Sequence, residues 1–105
     1  MENLKEFIFQ INEFDWDKGN IEKNLIKHKV VQSECEELFL NKPVIEEILK
    51  TEEQREQRYY ALGITNAKRK LTIIFTLRNN KIRVISARDM SRKERRGYEK
   101  IKKGT

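Results

Sequence analysis

Residues 70–88 form the stretch KLTIIFTLRNNKIRVISAR, which predicts an antiparallel β-hairpin. Over residues 70–78 the side chains alternate with the two-residue period of a strand that buries one face. Asn79 and Asn80 can adopt positive φ values, as a tight hairpin turn requires. The second strand is expected over residues 81–88. The period places Ile82, Val84, Ser86 and Arg88 on one of its faces, and Arg83, Ile85 and Ala87 on the other.

Three further stretches are expected to be strands. Branched and aromatic residues are frequent in residues 7–16, 44–49 and 58–65. Tyr59 and Tyr60, in the last of these, are expected to be sheet residues.

Two stretches in the N-terminal half carry helix signals. Asp17 is expected to cap a helix over residues 18–29, in which apolar residues recur on one face. Ser33 and Glu36 have the spacing of a capping box, which predicts a second helix over residues 34–41, ended by Pro43.

The charge of the chain is divided unevenly. Residues 1–50 carry 7 Lys/Arg against 11 Asp/Glu, a net −4, whereas residues 51–105 carry 16 against 6, a net +10. A basic field of this kind favours a polyanion such as nucleic acid. Its densest part is residues 86–98, where the capping box of Ser91 and Glu94 predicts a basic helix to about residue 102.

These elements predict an α+β fold in one domain of 105 residues: an antiparallel sheet, two helices in the N-terminal half and a basic C-terminal helix. The single cysteine, Cys35, excludes an intramolecular disulfide and a Cys-based zinc site, and is expected to be a buried core residue. No apolar stretch is long enough to span a membrane, and no signal peptide is evident, so a cytoplasmic protein is expected.

The arginines of residues 86–98 are the first candidates for phosphate binding. Guanidinium groups bond phosphate oxygens in pairs and a helix start adds partial positive charge, so Arg88 and Arg92 are expected to hold one phosphate together. The alternative is a solvated helix in which Glu94 and Glu99 pair with neighbouring cations.

His28 is the only histidine and therefore the natural candidate for proton transfer near neutral pH. The alternative is a histidine that packs against the sheet and has a backbone partner. Asp15, Asp17 and Glu22 match no metal-binding loop, and no Gly-rich phosphate loop is present, so neither a metal nor a cofactor is expected.

Five motifs, in this order and spacing, resemble the BrnT toxins. They are Phe14-Asp15-Trp16-Asp17, Asn24 to His28, Arg58 to Gly63, Ile85-Ser86-Ala87-Arg88 and Ser91 to Tyr98. The resemblance covers about residues 14–99 and leaves 1–13 as an N-terminal extension or first-strand region and 100–105 as a tail. The family usually has glycine where this chain has Lys29. Lys29 is expected either to adopt positive φ at some cost or to accompany a different helix end.

The resemblance implies a RelE-like compact domain and a ribonuclease toxin of a type II toxin-antitoxin system, which inhibits translation and growth. It implies an RNA substrate, a BrnA-type antitoxin that neutralises the toxin, and binding of promoter DNA through the antitoxin complex. Two alternatives stay open. One is a non-catalytic RNA- or DNA-binding module, or a degenerate toxin that acts only within an antitoxin complex on promoter DNA. The other is a structural protein with a charged surface.

Metal-independent cleavage requires a ribose 2′-hydroxyl to lose its proton, charge on phosphorus to be stabilised and the leaving 5′-oxygen to gain a proton. On this hypothesis Arg88 and Arg92 hold the phosphate and His28 is the acid or base. The secondary catalytic candidates are Lys27, Glu94 and Tyr98. The candidates for RNA binding are Arg58, Lys93, Arg95 and Arg96.

Overall fold

A computed structural model describes Ile8, Ile11, residues 13–53 and residues 55–104. Four strands form one antiparallel sheet in the order β1-β2-β3-β4. The helices are α1 (Lys18–His28), α2 (Gln32–Leu40) and α3 (Arg92–Lys103), and the strands are β1 (Val44–Glu47), β2 (Arg58–Ile64), β3 (Lys70–Arg78) and β4 (Lys81–Asp89). The α+β fold expected from the sequence is confirmed.

The central hairpin forms where the alternation predicted it. Strand β3 has the predicted bounds, and β4 ends one residue later than expected. Asn79 and Asn80 have φ values of 51° and 62°, the left-handed conformation that a type I′ turn requires at both central positions.

One face of the sheet forms the core with the first two helices. Helix α2 packs on β2, where a Cβ on Gly63 would lie 2.9 Å from the Leu38 Cγ atom, so this contact needs glycine. Helix α1 lies along β4. Cys35 is buried, as expected. The other buried core residues include Val30, Ile45, Tyr59, Ala61, Leu71, Ile73, Phe75, Ile82, Val84 and Ala87.

Strand β4 contains a β-bulge that the two-residue period does not predict. The register with β3 shifts there and leaves Ile85 as an extra residue. Beyond Ile85 the faces are exchanged, so Ala87 is buried whereas Ser86 and Arg88 lie on the opposite face. The predicted grouping of Ser86 and Arg88 with the buried residues before the bulge is therefore wrong.

Two asparagines of α1 bind the backbone around this bulge. Asn24 Oδ1 accepts a hydrogen bond from the Ala87 N–H at 3.1 Å, and the Asn20 side chain donates to the Val84 carbonyl. Backbone groups at an edge strand would otherwise lack protein partners, so the asparagines stabilise the irregular strand.

The first strand, predicted over residues 7–16, lies partly outside the described residues. In its described part, Ile8 has helical backbone and Phe14 alone forms a β-bridge, parallel to Ile82. The Ile82 N–H donates to Glu13 O at 2.9 Å, and the Asp15 N–H donates to Ile82 O at 2.8 Å. The predicted continuous strand is therefore wrong for the described residues, because only Phe14 pairs with the edge of β4.

Helix α1 begins and ends nearly as predicted. The Asn20 N–H donates to Asp17 Oδ1 at 2.7 Å, which confirms the Asp17 cap. Lys29 has φ 55° and ψ 38°, so it adopts the left-handed conformation, the first of the two expected alternatives.

Helix α2 begins two residues earlier than predicted and has a different N-terminal contact. Glu34 Oε1 accepts from the Val31 N–H at 3.0 Å. Glu36 accepts instead from Trp16 Nε1 at 3.1 Å. The predicted capping box of Ser33 and Glu36 is wrong, because a tertiary contact engages Glu36. Strands β1 and β2 also end two residues and one residue earlier than predicted.

Candidate nucleic-acid interface

The sheet face opposite the core, here the outer face, carries polar and cationic side chains. Two of its threonines are hydrogen-bonded to neighbouring segments: Thr72 donates to Glu94 of α3 at 2.9 Å, and Thr76 donates to the Gln57 carbonyl at 2.7 Å. The middle of the face is half-buried. The strand register places Arg58, Tyr60, Leu62 and Ile64 of β2, Lys70, Thr72, Ile74 and Thr76 of β3, and Arg83, Ser86 and Arg88 of β4 on this face.

Arg88 is held on the outer face by the first turn of α3. Its Nη1 and Nη2 atoms donate to the two carboxylate oxygens of Glu94 at 2.7 and 2.9 Å. Glu94 also accepts from the Ser91 N–H at 2.8 Å, and the Glu94 N–H donates to Ser91 Oγ at 3.1 Å. The predicted capping box is confirmed, and the same carboxylate caps the helix and orients Arg88.

The Glu94 carboxylate is strongly stabilised in its ionised form. Hydrogen bonds from Arg88, and to a smaller extent from Ser91 and Thr72, lower the pKa of Glu94 from 4.5 to about 2, against the opposing effect of burial. The bond to Glu94 raises the pKa of Arg88. A group with so low a pKa is a poor proton donor or acceptor near neutral pH, so the position of Glu94 suits orientation of Arg88.

Arg88 retains two hydrogen-bond donors. Of the five N–H groups of a guanidinium, two point to Glu94 and a third reaches the Asp89 carbonyl at 3.3 Å. Its Nε–H and the second Nη2–H have no partner in the part of the chain that the structure describes. These two groups lie on one edge of the guanidinium plane, which is the arrangement that binds a phosphate through two oxygens.

The other predicted residues of α3 are placed differently from Arg88. Arg92, Lys93 and Arg96 are exposed, on the side of the helix away from the sheet. No contact within the described residues joins Arg92 to Arg88. Tyr98 is only 6% exposed, and burial raises the pKa of its hydroxyl, so its position suits packing of the helix.

His28 lies at the end of α1, next to a different arginine. Arg69 donates to the carbonyls of His28 at 3.1 Å and Lys29 at 2.9 Å. It also donates to the Asp89 carboxylate, at 2.7 and 3.1 Å, and to Glu34 at 3.2 Å. Arg69 thereby joins the end of α1, the start of α2 and the end of β4.

The Asp89 carboxylate interacts with Arg69 and with the charges of His28 and Arg95. The hydrogen bond from Arg69 is the main cause that lowers the pKa of Asp89, and the charges of His28 and Arg95 contribute. Arg88 and Asp89 are neighbours in a strand, so their side chains point to opposite faces. His28 and Arg95 therefore approach Asp89, and no described contact brings His28 to Arg88. Lys27, beside His28, is exposed.

Two outer-face residues, Tyr60 and Arg83, were not among the sequence candidates. Tyr60 lies two residues after Arg58 on the same face of β2, a spacing that could have identified it. Its proximity also raises the pKa of Arg88, to a smaller extent than Glu94 does. Arg83 pairs with Asp15 at 3.5 Å and with Asp17. The bulge places Arg83 on the face of Arg88, which the sequence period could not show.

The clefts of the described residues differ in chemistry. A cleft of about 240 Å³ at one end of the outer face is lined mainly by charged side chains, namely Arg55, Arg58, Arg78 and Arg83 together with Glu53 and Glu56. A larger cleft, of about 480 Å³, is lined mainly by apolar side chains, including Phe14 and Trp16, and has no arginine. Two of the arginines of the smaller cleft are already paired, Arg78 with Glu56 and Arg83 with Asp15 and Asp17, so Arg55 and Arg58 are its candidates for anion binding.

Within residues 13–53 and 55–104, together with Ile8 and Ile11, no group of three or more His, Cys, Asp or Glu side chains is placed to hold a metal ion. In the same part of the chain, no helix combines the length and apolar character needed to cross a membrane.

The basic sheet face and the arginine held by a capping glutamate define a small α+β protein suited to a polyanion. Residues 16–94 match the family described as the ribonuclease toxin BrnT of type II toxin-antitoxin systems. The chain belongs to this BrnT family, which confirms the resemblance of the five motifs. Membership implies RNA as the substrate class and an antitoxin as a partner.

The fold is also similar to a solved structure, the crystal structure of the Brucella abortus ribonuclease toxin BrnT. The two chains align with a TM-score of 0.56 and 23% sequence identity, over 76% of this chain and 97% of that chain. At this identity the likeness supports the fold. The comparison with curated proteins gives no match.

Proposed function

We propose that this chain is a ribonuclease toxin that cleaves RNA without a metal ion, in the manner of RelE-like ribonucleases, at the outer face. The proposal rests on the hydrogen bonds of Arg88. Glu94 fixes its guanidinium, while the Nε–H and one Nη2–H are left for a phosphate. Membership of a ribonuclease toxin family supplies the substrate class.

The proposed reaction is attack of a ribose 2′-oxygen on the adjacent phosphorus. A P–O2′ bond forms and the P–O5′ bond breaks, which gives a cyclic phosphate and a free 5′-hydroxyl. Negative charge grows on the phosphate oxygens in the transition state. A guanidinium that is already oriented stabilises this charge without reorganisation, so Arg88 acts as the electrostatic catalyst.

Proton transfer and RNA steering use other residues in this proposal. His28 is the candidate acid or base and Lys27 lies beside it, so the RNA would pass around the end of β4 to reach both His28 and Arg88. Arg58 would bind RNA at the open part of the outer face and Arg95 would bind it near Asp89. The exposed Arg92, Lys93 and Arg96 would attract the RNA through long-range charge.

The cellular role follows from the family. We propose that the chain acts in the cytoplasm, where loss of RNA inhibits translation and growth. A BrnA-type antitoxin would neutralise it, and the complex of the two proteins would bind promoter DNA.

Cleavage of a defined RNA by purified protein in the presence of EDTA tests this function. Arg88→Ala should lower kcat by about 10²-fold, the loss typical of a preorganised charge-stabilising group. Arg96→Ala is the matched control, because it removes an exposed arginine of α3, and it should retain kcat. Metal-dependent cleavage would overturn the metal-free mechanism, and wild-type cleavage by both Arg88→Ala and His28→Ala would overturn the site.

A second candidate is a non-catalytic binding module, which the separation of His28 from Arg88 favours. Induced expression distinguishes the two functions. Growth arrest accompanied by RNA loss supports the enzyme. Harmless accumulation, with RNA binding that weakens steeply as salt rises, supports the module, since phosphate contacts release counterions.

A further inference from the structure

The two adjacent tyrosines of β2 have different environments. Tyr59 lies on the core face, buried and stacked on Phe75 with ring centroids 5.3 Å apart. Tyr60 points to the outer face and is half-buried. Its ring has no aromatic partner within the residues that the structure describes. The Tyr60 ring is therefore a partly accessible aromatic surface in the middle of the sheet.

Tyr60 lies beside an apolar residue and on the same sheet face as two arginines. The register pairs it with Ile74, which in turn pairs with Ser86. Arg58 lies two residues away on the same strand face, and Arg88 lies two residues after Ser86 on the same face of β4. A nucleotide at this position would meet an aromatic ring for its base and a guanidinium for its phosphate.

We propose that Tyr60 binds a nucleobase of single-stranded RNA by stacking, next to the phosphate that Arg88 holds. The inference rests on the proposed function and adds a binding position for the substrate. Aromatic side chains are the usual surfaces on which proteins stack unpaired RNA bases, and every base offers a face for this contact. The ring is the binding element, and the Tyr60 hydroxyl is not needed.

Binding of a short 2′-O-methyl RNA, which cannot be cleaved by 2′-hydroxyl attack, tests this assignment. Tyr60→Leu keeps an apolar side chain but removes the aromatic face, and it should weaken binding by about tenfold or more. Tyr60→Phe keeps the face and should bind like the wild type. Denaturant unfolding of both variants establishes that each is folded before it is measured.

An abasic series locates the base on the ring. One nucleotide at a time is replaced by an abasic residue, and the wild type should lose affinity at one position. Tyr60→Leu should show no further loss at that position, because the contact is already absent. Equal binding by Tyr60→Leu and the wild type would overturn the stacking role.

The cleavage assay separates this inference from the proposed function. Normal cleavage with unchanged binding by Tyr60→Leu would overturn stacking alone. Absence of RNA binding and cleavage by the wild type would overturn the proposed function, and stacking with it. A large loss of kcat in Tyr60→Phe would also overturn the proposal, because it would show that the hydroxyl takes part in proton transfer.

Discussion

Arg69 and Arg88 lie at the same end of the sheet, but they differ in how many donors remain. All five N–H groups of Arg69 have partners: the Asp89 and Glu34 carboxylates and the carbonyls of His28 and Lys29. Among the described residues, Arg88 has partners for three N–H groups and none for the other two. An arginine with all its donors engaged connects parts of the fold, whereas one with free donors can also bind an anion.

The largest expected effect is on folding, when Arg69 is removed. Arg69→Ala removes the donor that joins two carboxylates and two carbonyls, and should lower the free energy of unfolding by about 3 kcal/mol, summed over five partly exposed hydrogen bonds. Denaturant unfolding measures it. Arg69→Lys should recover only part of the loss, because an ammonium group cannot reproduce the five-donor fork. If Arg69→Ala were as stable as the wild type, Arg69 would not have the structural role that distinguishes it from Arg88.

The next effect concerns Glu94 and acid. Because its pKa is about 2 in the folded protein and 4.5 ordinarily, its ionisation stabilises the fold above about pH 4.5, and this contribution is lost as the pH falls towards 2. Glu94→Gln should therefore cost about 2 kcal/mol at pH 7, after allowance for solvent screening. The difference from wild type should shrink between pH 4.5 and 2. If the stability difference between Glu94→Gln and the wild type did not change with pH, the ionisation of Glu94 would not be its cause.

A smaller effect on folding is expected at Arg88. Arg88→Ala should lower the free energy of unfolding by about 1 kcal/mol, because Glu94 keeps its bonds to Ser91 and Thr72 and gains access to water. Parallel denaturant unfolding and RNA cleavage assays show whether the loss of activity exceeds the loss of folded protein. If Arg88→Ala unfolds as readily as Arg69→Ala, the two arginines have the same structural role.

The smallest expected effect is a gain, at the residue whose carbonyl binds Arg69. Lys29 has a left-handed backbone, which a glycine adopts at less cost. Lys29→Gly should raise the free energy of unfolding by about 1 kcal/mol. Thermal or denaturant unfolding measures this gain. Lys27→Gly, within α1, is the contrasting control and should be destabilising.

Much of the fold follows from local signals in the sequence. Alternation and the two asparagines predict the hairpin, and the caps at Asp17 and Ser91 predict two helix starts. The bulge at Ile85 could not be predicted, because it depends on side chains of α1 that are far away in the chain. The Ser33 and Glu36 pattern failed for the same kind of reason, since Trp16 binds Glu36.

The candidate site was predictable only in part. The basic run and its capping box indicated Arg88 and Glu94, and the structure brings them together. His28 was a candidate because it is the only histidine, and its described interaction is with Asp89, the neighbour of Arg88 in β4. Tyr60 resembles an ordinary sheet residue until the pairing of the strands shows which face it occupies.

The shared carboxylate of Glu94 couples two events by thermodynamic linkage. It caps the start of α3 and holds Arg88, so any change that a bound phosphate makes in the Arg88–Glu94 pair also acts on the first turn of the helix. The coupling is reciprocal. If a protein that binds α3 shifts Glu94 and so changes the affinity for phosphate, phosphate changes the affinity for that protein by the same factor. A partner bound to the C-terminal helix would in this way act on the sheet face without covering it.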